Sequence, residues 1–191
     1  VSVVTATQIT TFTDISATTP EAITASGLIP IVQDRIVTIC NRAFGTGLER
    51  QTTVTFNATA GTITSSSSDW AGDGFAAGDE IWVSNSYRNN GFYNVSSITG
   101  SVLTVLSTES VVDELSGRSV YFTVVDWPDE LAYVAAWMVK FDYDDRKSRT
   151  AGVTARSLGP FSESYSDVGL TYGYPPEIIE QLNHYRVVDM G

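Results

Sequence analysis

The sequence predicts an α+β protein: a small helical bundle interrupted by an inserted antiparallel β-barrel or sandwich domain. Two observations carry that prediction. Before residue 51 and after residue 126, apolar residues recur at three- and four-residue steps, the spacing of helices with one buried stripe. Between them the chain is rich in Thr, Ser, Val and Gly, and its apolar residues fall into short period-two runs separated by turn residues. With 191 residues, 42% of them hydrophobic and 17% charged, the chain can bury enough apolar surface to offset the entropy of ordering it. The expected organisation is a discontinuous helical domain, 1–50 and 126–191, carrying an inserted β domain, 51–125.

Taken in order, Thr19 before Pro20 and Glu21 reads as a helix N-cap followed by a first-turn proline. Leu28, Ile29, Val32, Ile36, Ile39, Cys40 and Ala43 form the stripe of a second helix, with Pro30 in its first turn. Phe44-Gly45-Thr46-Gly47 is expected to stop it, since glycine readily takes the left-handed conformation. Six strands are expected around Val54/Phe56, 62–64, 81–83, 92–95, 102–106 and 120–125. The intervening turn residues are 65–68, 72–74, Asn89-Asn90-Gly91 and Gly100-Ser101. Asp126 then reads as an N-cap acid ahead of Pro128, Asp129 and Glu130, opening a helix buried through Leu131, Val134, Trp137, Met138 and Phe141. A polar stretch from Thr150 to Gly173 includes the alternating Ser162-Glu163-Ser164-Tyr165-Ser166, which reads as an exposed strand in a binding loop. Tyr174-Pro175-Pro176-Glu177 opens the last helix, through Ile178, Ile179, Leu182 and Tyr185.

Twenty-two acids against eleven bases give a net charge of −11. Such a chain is not expected to coat nucleic acid, whose phosphates bind chiefly through Lys and Arg, although it can stand beside DNA without gripping it. Apolar runs are too short to span a bilayer, which needs about 20 residues, and the sequence starts without a basic leader, so neither membrane insertion nor signal-directed export is expected. Cys40 is the only cysteine and reads as core filler. His184 is the only histidine and lies in the last helix, which leaves a nucleophile–histidine arrangement little to work with. Asp69, Asp73, Asp79 and Glu80 sit among glycines but depart from the calcium-loop spacing, so they read as turn residues. Asp142, Asp144 and Asp145 stand near Lys140, Arg146 and Lys147, as in a solvated mixed-charge surface. No catalytic residue, metal site or cofactor is expected. Phe161, Tyr165, Tyr172, Tyr174 and Tyr185 are left as a group of exposed aromatics suited to an interface.

Three stretches resemble the head-tail connector, or adaptor, proteins of long-tailed bacteriophages and prophages: Ile31-Val32-Gln33-Asp34-Arg35-Ile36 through Cys40-Asn41-Arg42-Ala43-Phe44, the loop 152–166, and Tyr174-Pro175-Pro176-Glu177-Ile178-Ile179 through Leu182 and Tyr185-Arg186. The middle segment resembles a small β module inserted in phage virion proteins, through Gly74-Phe75-Ala76-Ala77-Gly78-Asp79, 89–95 and 102–105. The resemblance implies a non-enzymatic virion protein at the head–tail junction, assembled in the host cytoplasm. It implies a homo-oligomeric ring, typically of twelve subunits, docked beneath the portal protein, extending the DNA channel and receiving the next neck or tail component. On that reading Phe161, Ser162, Ser164 and Tyr165 meet a neighbouring subunit. Tyr174, Tyr185, Arg186, Val187 and Val188 meet the portal or neck, and Asp142, Asp144, Asp145, Glu163 and Asp167 face a channel through which DNA passes unbound. The alternative is a carbohydrate-binding or adhesive β module displaying Trp70, Trp82, Tyr87 and Tyr93.

Overall fold

Thr5 opens the first helix, α1 (Ala6–Phe12), with a reciprocal cap. Its hydroxyl accepts from the Gln8 N–H at 3.2 Å, and the Gln8 side-chain oxygen accepts from the Thr5 N–H at 2.8 Å. Two donors that a helix start would leave orphaned are thereby satisfied. This helix, which the sequence reading did not anticipate, belongs to a computed structural model that describes residues 2–16, 25, 27–67, 69–148, 155–158, 161–164 and 170–187. The helix start expected at Thr19 and Pro20 lies outside the described residues. The second described helix, α2 (Ile29–Cys40), has its proline in the first turn and buries Val32, Ile36, Ile39 and Cys40. It stops earlier than expected. Asn41 takes the left-handed conformation (φ 51°) and its N–H bonds to the Val37 carbonyl, so asparagine rather than Gly45 or Gly47 ends the helix.

The chain forms two compact units, a β unit over residues 42–127 joined by the first two residues, and a helical unit over 3–41 and 128–191. The β unit contains β1 (Gly45–Asn57), β2 (Thr62–Ser65), β3 (Glu80–Ser84), β4 (Gly91–Thr99), β5 (Val102–Val105) and β6 (Ser119–Val125), all paired antiparallel. The ladder runs β1-β2-β5-β4-β3-β6, and β6 also pairs with β1, so it closes on itself. Alternate side chains fill the interior: Val54 and Phe56 from β1, Ile81 and Val83 from β3, Val120 and Phe122 from β6. Trp70 joins them, edge-on to Phe75 and Phe122, with its indole N–H donating to the Ser101 carbonyl at 2.9 Å.

Both boundaries of this unit differ from those expected. Residue 51 falls inside β1, which starts at Gly45 and pairs Gly45 with Val125 across an irregularity between Gly45 and Glu49. Asp126 caps no helix; its N–H bonds to the Phe44 carbonyl and extends the closure of the two chain ends. Trp127 follows as core, packed against Phe44 and Phe92, and its indole N–H donates to the buried Glu80 carboxylate at 2.6 Å. Glu80 is therefore an interior acid and not a turn residue. Asp79 does shape a turn, accepting from the Ala76 N–H at 2.7 Å.

In the helical unit α3 (Leu131–Ser148) begins five residues after the expected acid cap and packs against α1, α2 and α4 (Pro176–Asn183). Contact on three sides explains why Leu131, Ala132, Val134, Ala135, Ala136, Met138 and Val139 are all buried. Trp137, expected on the buried face, instead lies outward beside Tyr133, one turn earlier. The strands β7 (Ala155–Leu158) and β8 (Phe161–Ser164) pair only with each other among the described residues. The α+β class is as expected.

Candidate functional site

In the helical unit, α2, α3 and the turn before α4 meet around a cleft of about 600 Å³ lined by Arg35, Ile39, Phe141, Asp142 and Tyr172. The turn is made by Tyr172 (φ 54°) and Gly173 (φ 83°), bracketed by reciprocal backbone bonds between Thr171 and Tyr174. Two consecutive positive φ angles match the strand twist of a tight hairpin, and they aim Tyr174 inward. Its ring is fully buried against Phe141, with the Arg35 guanidinium over it at 5.3 Å. Arg35 Nη1 donates to both Asp142 oxygens, at 2.9 and 2.7 Å, and to the Tyr174 hydroxyl, which in turn donates to Asp142 Oδ2 at 3.0 Å. Burial, aided by the Asp142 charge, pushes the Tyr174 phenol up to about 12, although Arg35 pulls the other way. A phenol that stays protonated and bonded on both sides is a tie between helices and a poor general base.

A second constellation lies in the β unit, on the segment 85–90. Glu114 holds it: its carboxylate accepts from the Ser86 hydroxyl (2.6 Å), the Tyr87 N–H (3.1 Å), the Arg88 N–H (3.2 Å) and the Asn89 side-chain amide (3.0 Å). Burial opposes the charge, but these donors outweigh it and lower the Glu114 pKa. Asn89 exchanges two further bonds with the Val112 backbone, at 3.0 and 2.6 Å. The fixed backbone presents Tyr87, 70% exposed, beneath the Arg118 guanidinium at 4.9 Å, with Arg88 and the 86%-exposed Leu115 on the same pair of segments.

Several residues expected at interfaces stand elsewhere. Tyr174 is interior, which removes it from a portal-contact set, because its hydroxyl is committed to Arg35 and Asp142. Asp142 is likewise engaged, its side chain only 13% exposed, and offers no free charge to a channel. Asp144 is exposed and pairs with Lys140 at 2.8 Å; Asp145 is half-buried and lines the cleft. Tyr185 is half-buried, Arg186 reaches the Tyr172 hydroxyl at 3.3 Å, and the exposed Val187 is pinned by its N–H to the Cys40 carbonyl at 2.9 Å. Phe161, Ser162 and Ser164 lie in β8, which pairs antiparallel with β7. Tyr165, Asp167, Val188 and the side chain of Glu163 lie outside the described residues. Of the aromatics expected on a carbohydrate-binding face, Trp70 and Tyr93 are core, Trp82 is half-buried and Tyr87 alone is well exposed.

His184 ends α4 on the surface, and Cys40 is buried with its Sγ near the Leu182 carbonyl. Among the described residues no group of three or more His, Cys, Asp or Glu is placed to hold a metal ion, and no helix is long and apolar enough to cross a membrane. Sequence reasoning missed the Glu114 hub, for which Asn89-Asn90 read only as turn residues. It also gave Arg35 no role, although Arg35 is the one base on α2. Comparison with models of known protein families finds no match, and comparison with curated proteins finds none either.

Proposed function

We propose that the chain is a non-enzymatic ring subunit of a phage neck: an adaptor-like helical bundle, interrupted by an inserted small β-barrel, that docks beneath the portal and lets DNA pass toward the tail. The observation that carries this reading is the β7–β8 ribbon. Two strands alone are marginal in water, and each leaves one row of backbone donors and acceptors unpaired by the other. A neighbouring subunit that adds a strand to that edge would satisfy the row, and repetition around an axis would close a ring. The motif resemblance supplies the setting, the virion neck, with the portal on one side and a tail-side neck or tail protein on the other. Arg186 and Val187, exposed beyond α4, and the half-buried Tyr185 are the remaining described candidates for portal contact.

A carbohydrate-binding module would need a surface row of aromatics, and Trp70 and Tyr93 are spent on the core. Two experiments test the proposal. Particles made without the chain should accumulate as filled heads that fail to join tails; tailed, infectious particles would overturn the neck assignment. Ser164→Pro removes a backbone donor from β8 and fixes its φ. Particles carrying it should lack the neck ring in electron micrographs, and a full ring would sink the ribbon as the subunit contact.

A further inference from the structure

We propose that the rigid patch of Tyr87, Arg88, Leu115 and Arg118 on the β unit docks the acidic face of α4, Glu177 and Glu180, of a second copy of this chain. This rests on the self-assembly part of the reading above but assigns a different contact. Three observations lead to it. The segment is already ordered by Glu114 and Asn89, so presenting Tyr87 costs no further loop entropy on binding. Its composition is an exposed tyrosine, two arginines and a leucine, and tyrosine and arginine are the side chains that most often carry interface energy. Among the described residues Arg42, Arg88, Arg118 and Arg186 have no carboxylate within ion-pair distance, whereas Arg35, Arg50 and Lys140 do; Arg88 and Arg118 are the two that fall on this pair of segments.

Unpaired cations on an acidic protein point to a carboxylate partner, and the chain supplies one. In the helical unit Asp142 is held by Arg35, while Asp14 and Asp144 are held by Lys140. Among the described residues of this unit Asp34, Asp129, Glu130, Glu177 and Glu180 are exposed with no basic partner, and of these only Glu177 and Glu180 lie one turn apart on a helix. Residues three apart on a helix set their side chains about 5–6 Å from each other, a spacing two arginines on adjoining segments can match. Because the patch and the helix face are different surfaces, each copy would offer one and receive the other. That is the head-to-tail logic that generates rings.

Sedimentation velocity on the full-length chain across a concentration series tests this. Tyr87→Ala, Arg118→Glu and Glu180→Arg should each weaken association by about tenfold or more, the scale of one lost anchor. The double reversal Arg118→Glu with Glu180→Arg in one chain should restore it. All three changes are on exposed side chains, and circular dichroism checks that the fold is kept. Association unaffected by the single changes overturns the patch and leaves ring assembly standing. Weakening without rescue overturns Glu180 as the partner. A wild-type chain that stays monomeric up to about 100 μM, a concentration at which even a contact with a Kd of about 1 μM would be largely formed, overturns the second copy as occupant and self-assembly of the free chain together.

Discussion

Tyr174 lies 139 residues from Arg35 along the chain, yet its phenol sits between that guanidinium and the Asp142 carboxylate. Tyr174→Phe keeps the ring and deletes both bonds, and should cost about 1–3 kcal/mol in the unfolding of the helical unit, since the Asp142 and Arg35 groups each lose a partner. The pH dependence has a definite sign. The folded-state pKa is raised from 10.0 to about 12, so the native state holds this proton more tightly than the unfolded chain. The resulting stability is fully present below pH 10 and is lost as pH rises from there toward 12. Denaturant melts at pH 9 and above should therefore fall more steeply for wild type than for Tyr174→Phe; parallel declines would show that the phenol carries no such linkage. Nothing local in the sequence records this site. Next to two prolines in a polar stretch Tyr174 reads as exposed, and only the positive-φ turn at Tyr172 and Gly173 brings it inward. Glu80 reads as a turn residue for the same reason, because its partner Trp127 lies 47 positions away.

At the scale of elements, the period-two runs located all six strands of the β unit, because alternation between core and solvent is written into adjacent residues. Their ends were less legible. Gly45 and Gly47 signal a helix stop and so conceal the first residues of β1, whose pairing depends on β6 far along the chain. α1 was missed because seven residues carry too little periodicity, although Thr5 and Gln8 spell its cap. The corrected limits alter how the β unit should be excised. Residues 42–127 expressed alone should fold with a strand-rich circular dichroism spectrum and a cooperative melt, since Gly45–Val125 pairing and the Asp126–Phe44 bond close it without help. A chain cut at 51 instead loses the β1 residues paired with Thr123 and Phe122 and should melt lower. Equal stability of the two would mean that the first part of β1 adds nothing.

For the molecule as a whole, the net charge of −11 multiplies around any ring. A wall of that sign repels phosphate, most strongly at low salt, because screening shortens the reach of charge to about 10 Å at 0.1 M. Asp142 is now assigned to an internal tie, so a test of passage must spare it. If the chain lines a DNA channel as proposed, reversing the exposed Asp144 together with Asp145 to lysine should leave particles assembled but slow DNA ejection at low ionic strength, with the difference fading as salt is added. Normal ejection from such particles would leave the acidity as a matter of solubility alone.

The way the β unit is wired into the chain also has a mechanical meaning. Its two leads attach at the same end of neighbouring strands, at Gly45 of β1 and Val125 of β6. Tension reaching it through residues 41 and 128 would load those hydrogen bonds one after another, as in opening a zipper, instead of shearing a row of them at once. Under a pulling force the β unit is thus a soft element in the chain, one that would peel from its base and absorb extension at forces well below those needed to slide the same strands lengthwise.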